Sequence, residues 1–246
     1  MNKRNVFWLI FFGLLLVFAG TVVTFTRKAL KSYPPTPVAL EALKPAPTLQ
    51  IQKTAYGWVF IPSGTIKGGL AFYPGGRVDP QAYAPPLRKI AEGGYRVALL
   101  QLPFNLPVTA QGKAREAIAE APELRWAVGG HGLGGVVASN FAQSNPDAKT
   151  IVMWSSYPQN DLSGLEKPTL LLHGDQDGVV RQTALEQNRP KFPKNTQFVN
   201  LPGLDQASFG AYGPQRGDNP ATVGKEAGWD LIARKTLEFL NQTLSK

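Results

Sequence analysis

Cysteine is absent from the 246 residues, which removes disulfides, thiolate nucleophiles and cysteine-based zinc sites from consideration. That absence fits either side of a membrane and does not fix the compartment. Histidine is nearly absent too: the sequence holds His131 and His173, and none follows residue 173. A dense basic tract is also missing. Of 26 basic residues, Lys3, Arg4, Arg27, Lys28 and Lys31 flank one hydrophobic segment, and the others are interspersed with 17 acidic residues. The formal charge of +9 therefore leaves no nucleic-acid footprint, and no nucleic-acid partner is expected. No internal repeat is visible, and a chain of this length needs only one core.

What is present begins with an apolar stretch. Residues 6–25 carry only Thr21 and Thr24 as polar interruptions, enough length to span a bilayer. Val17-Phe18-Ala19 also has the small-residue pattern of a signal-peptide cleavage site, but apolar residues continue past it, which favours an uncleaved anchor. Basic residues flank both sides almost equally, so the positive-inside rule gives no vote on orientation. The short tail of residues 1–5 makes a single-pass protein with an extracytoplasmic domain the simpler arrangement. Residues 26–49 contain Pro34, Pro35, Pro37, Pro45 and Pro47 and read as a semi-rigid spacer, with a helical turn at 39–43.

Beyond residue 50 strands alternate with helices. Apolar runs at 58–61, 70–73, 95–102, 126–128, 150–154, 169–172 and 197–201 end at proline, glycine or polar turns. Between them, Leu87, Ile90 and Ala91 mark one helix, with Pro85 and Pro86 suited to its first turn. Ala114, Ile118 and Ala121 mark a second, and Trp229, Ala233, Leu237, Leu240 and Leu244 line the last. Continuous apolar strands separated by helices imply an α/β fold, a mostly parallel central sheet covered on both faces.

The most informative stretch is Val128-Gly129-Gly130-His131-Gly132-Leu133-Gly134-Gly135, a strand running into a glycine-rich turn, followed by a helix rich in small residues. Here the sequence resembles the α/β-hydrolase superfamily, in particular its small bacterial dienelactone-hydrolase-like members. The family's turn reads G-x-S-x-G with the serine as nucleophile. In Gly130-His131-Gly132-Leu133-Gly134 the serine position is Gly132. The resemblance extends from about Lys67 to the last helix. Tyr73-Pro74-Gly75-Gly76 resembles the oxyanion loop, so Gly75 or Gly76, with Leu133, would supply N–H donors. His173-Gly174-Asp175-Gln176-Asp177 resembles the segment that supplies the acid, which would be Asp177. Gly203-Leu204-Asp205-Gln206-Ala207-Ser208 resembles the histidine loop, with Gln206 in the histidine's place.

The missing base does not depend on that alignment. In this fold the chain order is nucleophile, acid, histidine, and no histidine follows Asp177. Glycine has no oxygen to attack a carbonyl, and glutamine takes no proton at neutral pH. The resemblance therefore implies a membrane-anchored relative of ester and lactone hydrolases that is non-catalytic or severely impaired. Its pocket would suit a small carbonyl or carboxylate ligand. Two rivals remain open. One is an active hydrolase using a non-standard set drawn from Asp177, Asp205 and Ser208. The other is a dinucleotide binder, because Gly130-x-Gly132-x-x-Gly135 satisfies G-x-G-x-x-G. The region about 20 residues on, Ile151-Val152-Met153-Trp154-Ser155-Ser156, lacks the acid that would hold a ribose. No cofactor is expected. No metal is expected either, since Val179 and Val180 fall where a calcium loop after Asp175 and Asp177 needs a ligand and a glycine.

Overall fold

A computed structural model describes residues 2, 8, 11–18, 20, 21 and 31–244. The chain divides into two units, residues 1–32 and Tyr33–Lys246. In the first, residues 11–18 are helical and exposed. Much of the expected anchor at 6–25 lies outside the described residues. Among those described, no helix is long and apolar enough to cross a membrane.

The second unit is built on one eight-stranded sheet, ordered β1-β2-β4-β3-β5-β6-β7-β8. The strands are β1 (Leu49–Thr54), β2 (Gly57–Pro62), β3 (Gly68–Tyr73), β4 (Tyr95–Leu100), β5 (Trp126–His131), β6 (Ala148–Trp154), β7 (Thr169–Gly174) and β8 (Thr196–Leu201). β1 and β2 pair antiparallel, as do β2 and β4, and every other pairing is parallel. The helices are α1 (Pro37–Glu41), α2 (Ala84–Glu92), α3 (Ala114–Glu120), α4 (Leu133–Ser144), α5 (Gln182–Asn188) and α6 (Lys225–Thr243).

Alternation along the strands divides the core in two. Leu70 and Phe72 of β3 point to one face, where Leu87 and Ile90 of α2 and Ile232 and Leu240 of α6 cover them. Ala71 and Tyr73 point to the other, beneath Ala117 of α3 and Val137 and Phe141 of α4. With both faces covered, the central strands are apolar throughout, and every residue of β3 and β5 is buried.

Two expectations are corrected. The first concerns residues 33–49, which are not a free spacer but part of the globular unit. The Tyr33 N–H donates to the Arg77 carbonyl at 2.7 Å, and the Asp79 N–H donates to the Tyr33 carbonyl at 3.0 Å. The Thr36 N–H donates to the Ala211 carbonyl at 2.8 Å, the Tyr33 and Tyr212 rings lie 5.8 Å apart, and Ala39 is fully buried. Proline forbids ladder hydrogen bonds and helix interiors, but it does not forbid packing, and Pro37 begins α1. The second concerns the glycine run. Gly129 and Gly130 extend β5 between β3 and β6, His131 continues it beside β6 alone, and the turn itself is confined to Gly132.

Glycine is required there by close approach. A Cβ on Gly134 would overlap the carbonyl oxygens of Tyr73 and Pro74, and one on Gly130 would overlap the Gly134 backbone. We expect Gly134→Ala to cost more than about 3 kcal/mol, since the obstruction is backbone that cannot rotate away. Urea unfolding of the variant beside the parent measures this.

Candidate functional site

Gly132 joins β5 to α4 with φ 50° and ψ −119°, a conformation that L side chains rarely adopt. Hydrogen bonds fix it on both sides. Its N–H donates to the Trp154 carbonyl at 3.0 Å, and its carbonyl accepts from the Gly135 N–H at 3.0 Å and the Ser156 hydroxyl at 2.7 Å. α4 starts at the next residue, so the Leu133 N–H belongs to the unpaired first turn of a helix. Gly76 packs against the Leu133 side chain. Among the described residues neither the Leu133 nor the Gly76 N–H donates to a protein group. Gly75 differs, because its N–H donates to the Tyr83 hydroxyl at 3.0 Å. Of the two glycines considered from sequence, only Gly76 keeps its donor.

Gln206 begins a short 3₁₀ turn, Gln206–Phe209, and is 3% exposed. Its amide nitrogen lies 3.1 Å from the point where a Cβ on Gly132 would stand. The residue expected in the histidine's place therefore lies beside the elbow. Both border a cavity of about 380 Å³ whose wall also includes Gly76, Leu133, Val136 and Val180.

Asp177 follows β7 and is buried, but it does not line the cavity. One carboxylate oxygen accepts the N–H groups of Val179 and Val180 at 2.8 and 2.7 Å, and the other accepts the Ser155 hydroxyl. Burial raises its pKa to about 6, against the opposing pull of those three donors. Sequence reasoning met Ser155 only in a stretch lacking a ribose-binding acid and missed this pairing. Ser155 follows β6 with a positive φ of 40°, a feature without a sequence signal.

His131 is buried, stacked on Phe209 with ring centroids 5.4 Å apart, and its Nδ1 is 2.7 Å from the Tyr83 hydroxyl. Burial lowers its pKa to about 3, with the Gln206 oxygens nearby pulling the other way. It is a neutral packed side chain. His173 is also buried, and its Nδ1 is 3.9 Å from an Asp177 oxygen without a hydrogen-bond partner. Burial lowers its pKa, opposed by Asp175.

The non-standard set is not assembled at the cavity. Asp205 and Ser208 bond to each other in a capping box at the 3₁₀ turn, and neither lines the cavity wall. The glycines of the dinucleotide-like match also have an internal explanation. Gly130 meets the α4 backbone, and a Cβ on Gly135 would stand 2.6 Å from Ser156.

The sequence profile of the alpha/beta hydrolase family matches residues 69–230, well over half the chain. The chain belongs to the alpha/beta hydrolase family. The match spans the sheet from β3 to β8 together with Gly132, Asp177 and Gln206. No curated protein matches the chain.

Two outcomes follow from the geometry. Gly132→Ser places a β-carbon at positive φ and 3.1 Å from Gln206, at a strain of about 1–3 kcal/mol. Its melting temperature should fall by roughly 2–10 °C. The Asp177 pKa is raised from 3.8 to about 6, so between those values the folded chain holds the proton more firmly than the unfolded one. The resulting stability is present in acid and is lost as pH rises through about 6. Asp177→Asn removes this term, so thermal melts should show the variant gaining on the parent from pH 4 to pH 8.

Proposed function

We propose that this alpha/beta hydrolase is a binding protein rather than an ester hydrolase, tethered to a membrane through residues 6–25 with its folded unit outside the cytoplasm. The observation that carries the reading is the elbow: Gly132 stands at its apex, and the Gln206 amide nitrogen lies 3.1 Å from where a side chain would begin. The position that would attack a substrate has no atom to attack with, and the position that would take the proton holds an amide.

The loss is chemical rather than architectural. Removing a triad serine or histidine costs on the order of 10⁶ in kcat where it has been dissected, about as much as removing the whole triad. An oxyanion hole without a triad still gives roughly 10³–10⁴ over water. Leu133 and Gly76 retain the donors for such a hole, which supports a pocket that still holds oxygen-bearing ligands. The apolar run of residues 6–25 supports the tether. The ester- and lactone-hydrolase ancestry rests on the order of the four segments around Gly76, Gly132, Asp177 and Gln206.

Hydrolysis of an activated phenyl ester by the parent and by Gly132→Ser/Gln206→His tests the reading. The parent should match the uncatalysed rate within the ~10³–10⁴ margin of a bare oxyanion hole. The double variant should exceed the parent by at least about 10²-fold, the usual contribution of a positioned base. Fast turnover by the parent, abolished in Asp177→Asn, would overturn it.

A further inference from the structure

We infer that the cavity beside Gly132 is a carboxylate site, taking a small monocarboxylic acid whose charged end sits where a catalytic serine side chain would stand. The inference rests on the binding reading above and adds the ligand's class to it.

Hydrogen-bond polarity carries the argument, one partner at a time. The Gly75 N–H can only give, and it gives to the Tyr83 hydroxyl at 3.0 Å. The same hydroxyl lies 2.7 Å from His131 Nδ1. Burial keeps the imidazole neutral, so it carries a single ring proton. Beside the imidazole, the Gln206 Oε1 and His131 Nε2 are both buried without a hydrogen-bond partner. The Gln206 amide nitrogen lies 3.1 Å from where a Cβ on Gly132 would stand, both residues line the cavity, and no protein acceptor receives the NH₂ among the described residues. An imidazole at this place would offer a lone pair toward the elbow. Gln206 offers donors instead.

Three neutral donors thus belong to residues that line the one cavity beside Gly132: the Leu133 and Gly76 N–H groups and the Gln206 amide. The first belongs to the N-terminus of α4, twelve residues long, whose dipole favours an anion. Arg77 is the one charged side chain along the cavity wall, and no carboxylate lies there. Asp177, the nearest buried acid on the retained loop, lies outside the wall with both oxygens occupied. Leu106, Val136, Val179 and Val180 supply an apolar lining, and about 380 Å³ is at the small end of ligand pockets. An ester fits this donor set less well than an acid, because only the acid brings a charge and two acceptor oxygens. The site is complementary to what an ester hydrolase releases.

The test is calorimetric titration of the full chain in detergent with phenylacetate, phenylacetamide and methyl phenylacetate. Phenylacetate should bind at least about tenfold more tightly than either neutral analogue, the margin expected of charge-assisted bonds. Gln206→Glu, which places an acceptor of the same size at the elbow, should erase that margin while the melting temperature stays near the parent's. Gln206→Leu removes the donors without adding charge and should weaken phenylacetate in the same direction by less. It serves as the test if the glutamate variant does not fold. A neutral analogue that binds the parent as tightly as phenylacetate overturns the carboxylate assignment but leaves a binding pocket. The same holds if phenylacetate affinity is unchanged in a folded Gln206 variant. Absence of binding by all three compounds overturns the assignment and the binding reading together.

Discussion

The first turn of α4 reaches the ends of β3 and β5 only because Gly130 and Gly134 carry no side chain at the contact. Every other property of the site depends on that approach. It brings the Leu133 side chain beside Gly76, and it confines the turn to one residue of positive φ. It also leaves a space open at the helix's positive end. A methyl group at either glycine would push the helix away and separate the donors. The same constraint produces a match to a dinucleotide fingerprint, since both motifs need a helix close to a strand end. The physics is shared, while the ligand need not be.

Two buried titratable groups near the Gly132 turn settle their charge in different ways. A buried carboxylate without a cation or an imidazolium is costly. Asp177 meets the cost with two backbone N–H groups and the Ser155 hydroxyl, and its pKa still rises to about 6. His131 goes the other way, held neutral between Tyr83 and Phe209. The site therefore keeps little buried charge of its own. A donor-rich cavity with few internal acceptors is the consequence.

Much of this was legible in the sequence, and the gaps have physical causes. Six strands announced themselves as apolar runs because both faces of the sheet are covered, and β8 did so at the other edge with only Leu201 buried. β1 did not, since Leu-Gln-Ile-Gln-Lys-Thr at an open edge buries only Leu49 fully. The elbow and Gln206 were found because glycine spacing and chain order are local or ordinal signals. The partners of Asp177 and His131 were not, because Ser155 and Tyr83 lie 22 and 48 residues away along the chain and nothing in either residue type predicts the encounter. Residues 33–49 misled because proline reports what the backbone cannot bond to, and says little about what it can pack against.

That misread segment also acts as a clasp. Tyr33 is bonded through its backbone to Arg77 and Asp79, next to Gly76, and its hydroxyl receives the Arg216 N–H. Two residues on, Pro35 bridges to Tyr212, whose hydroxyl donates to the Gln206 carbonyl. The chain thus enters the folded unit by stitching together the two loops that carry the Gly76 and Gln206 donors. Any mechanical load on the polypeptide before residue 33 is passed to those loops before it reaches the sheet.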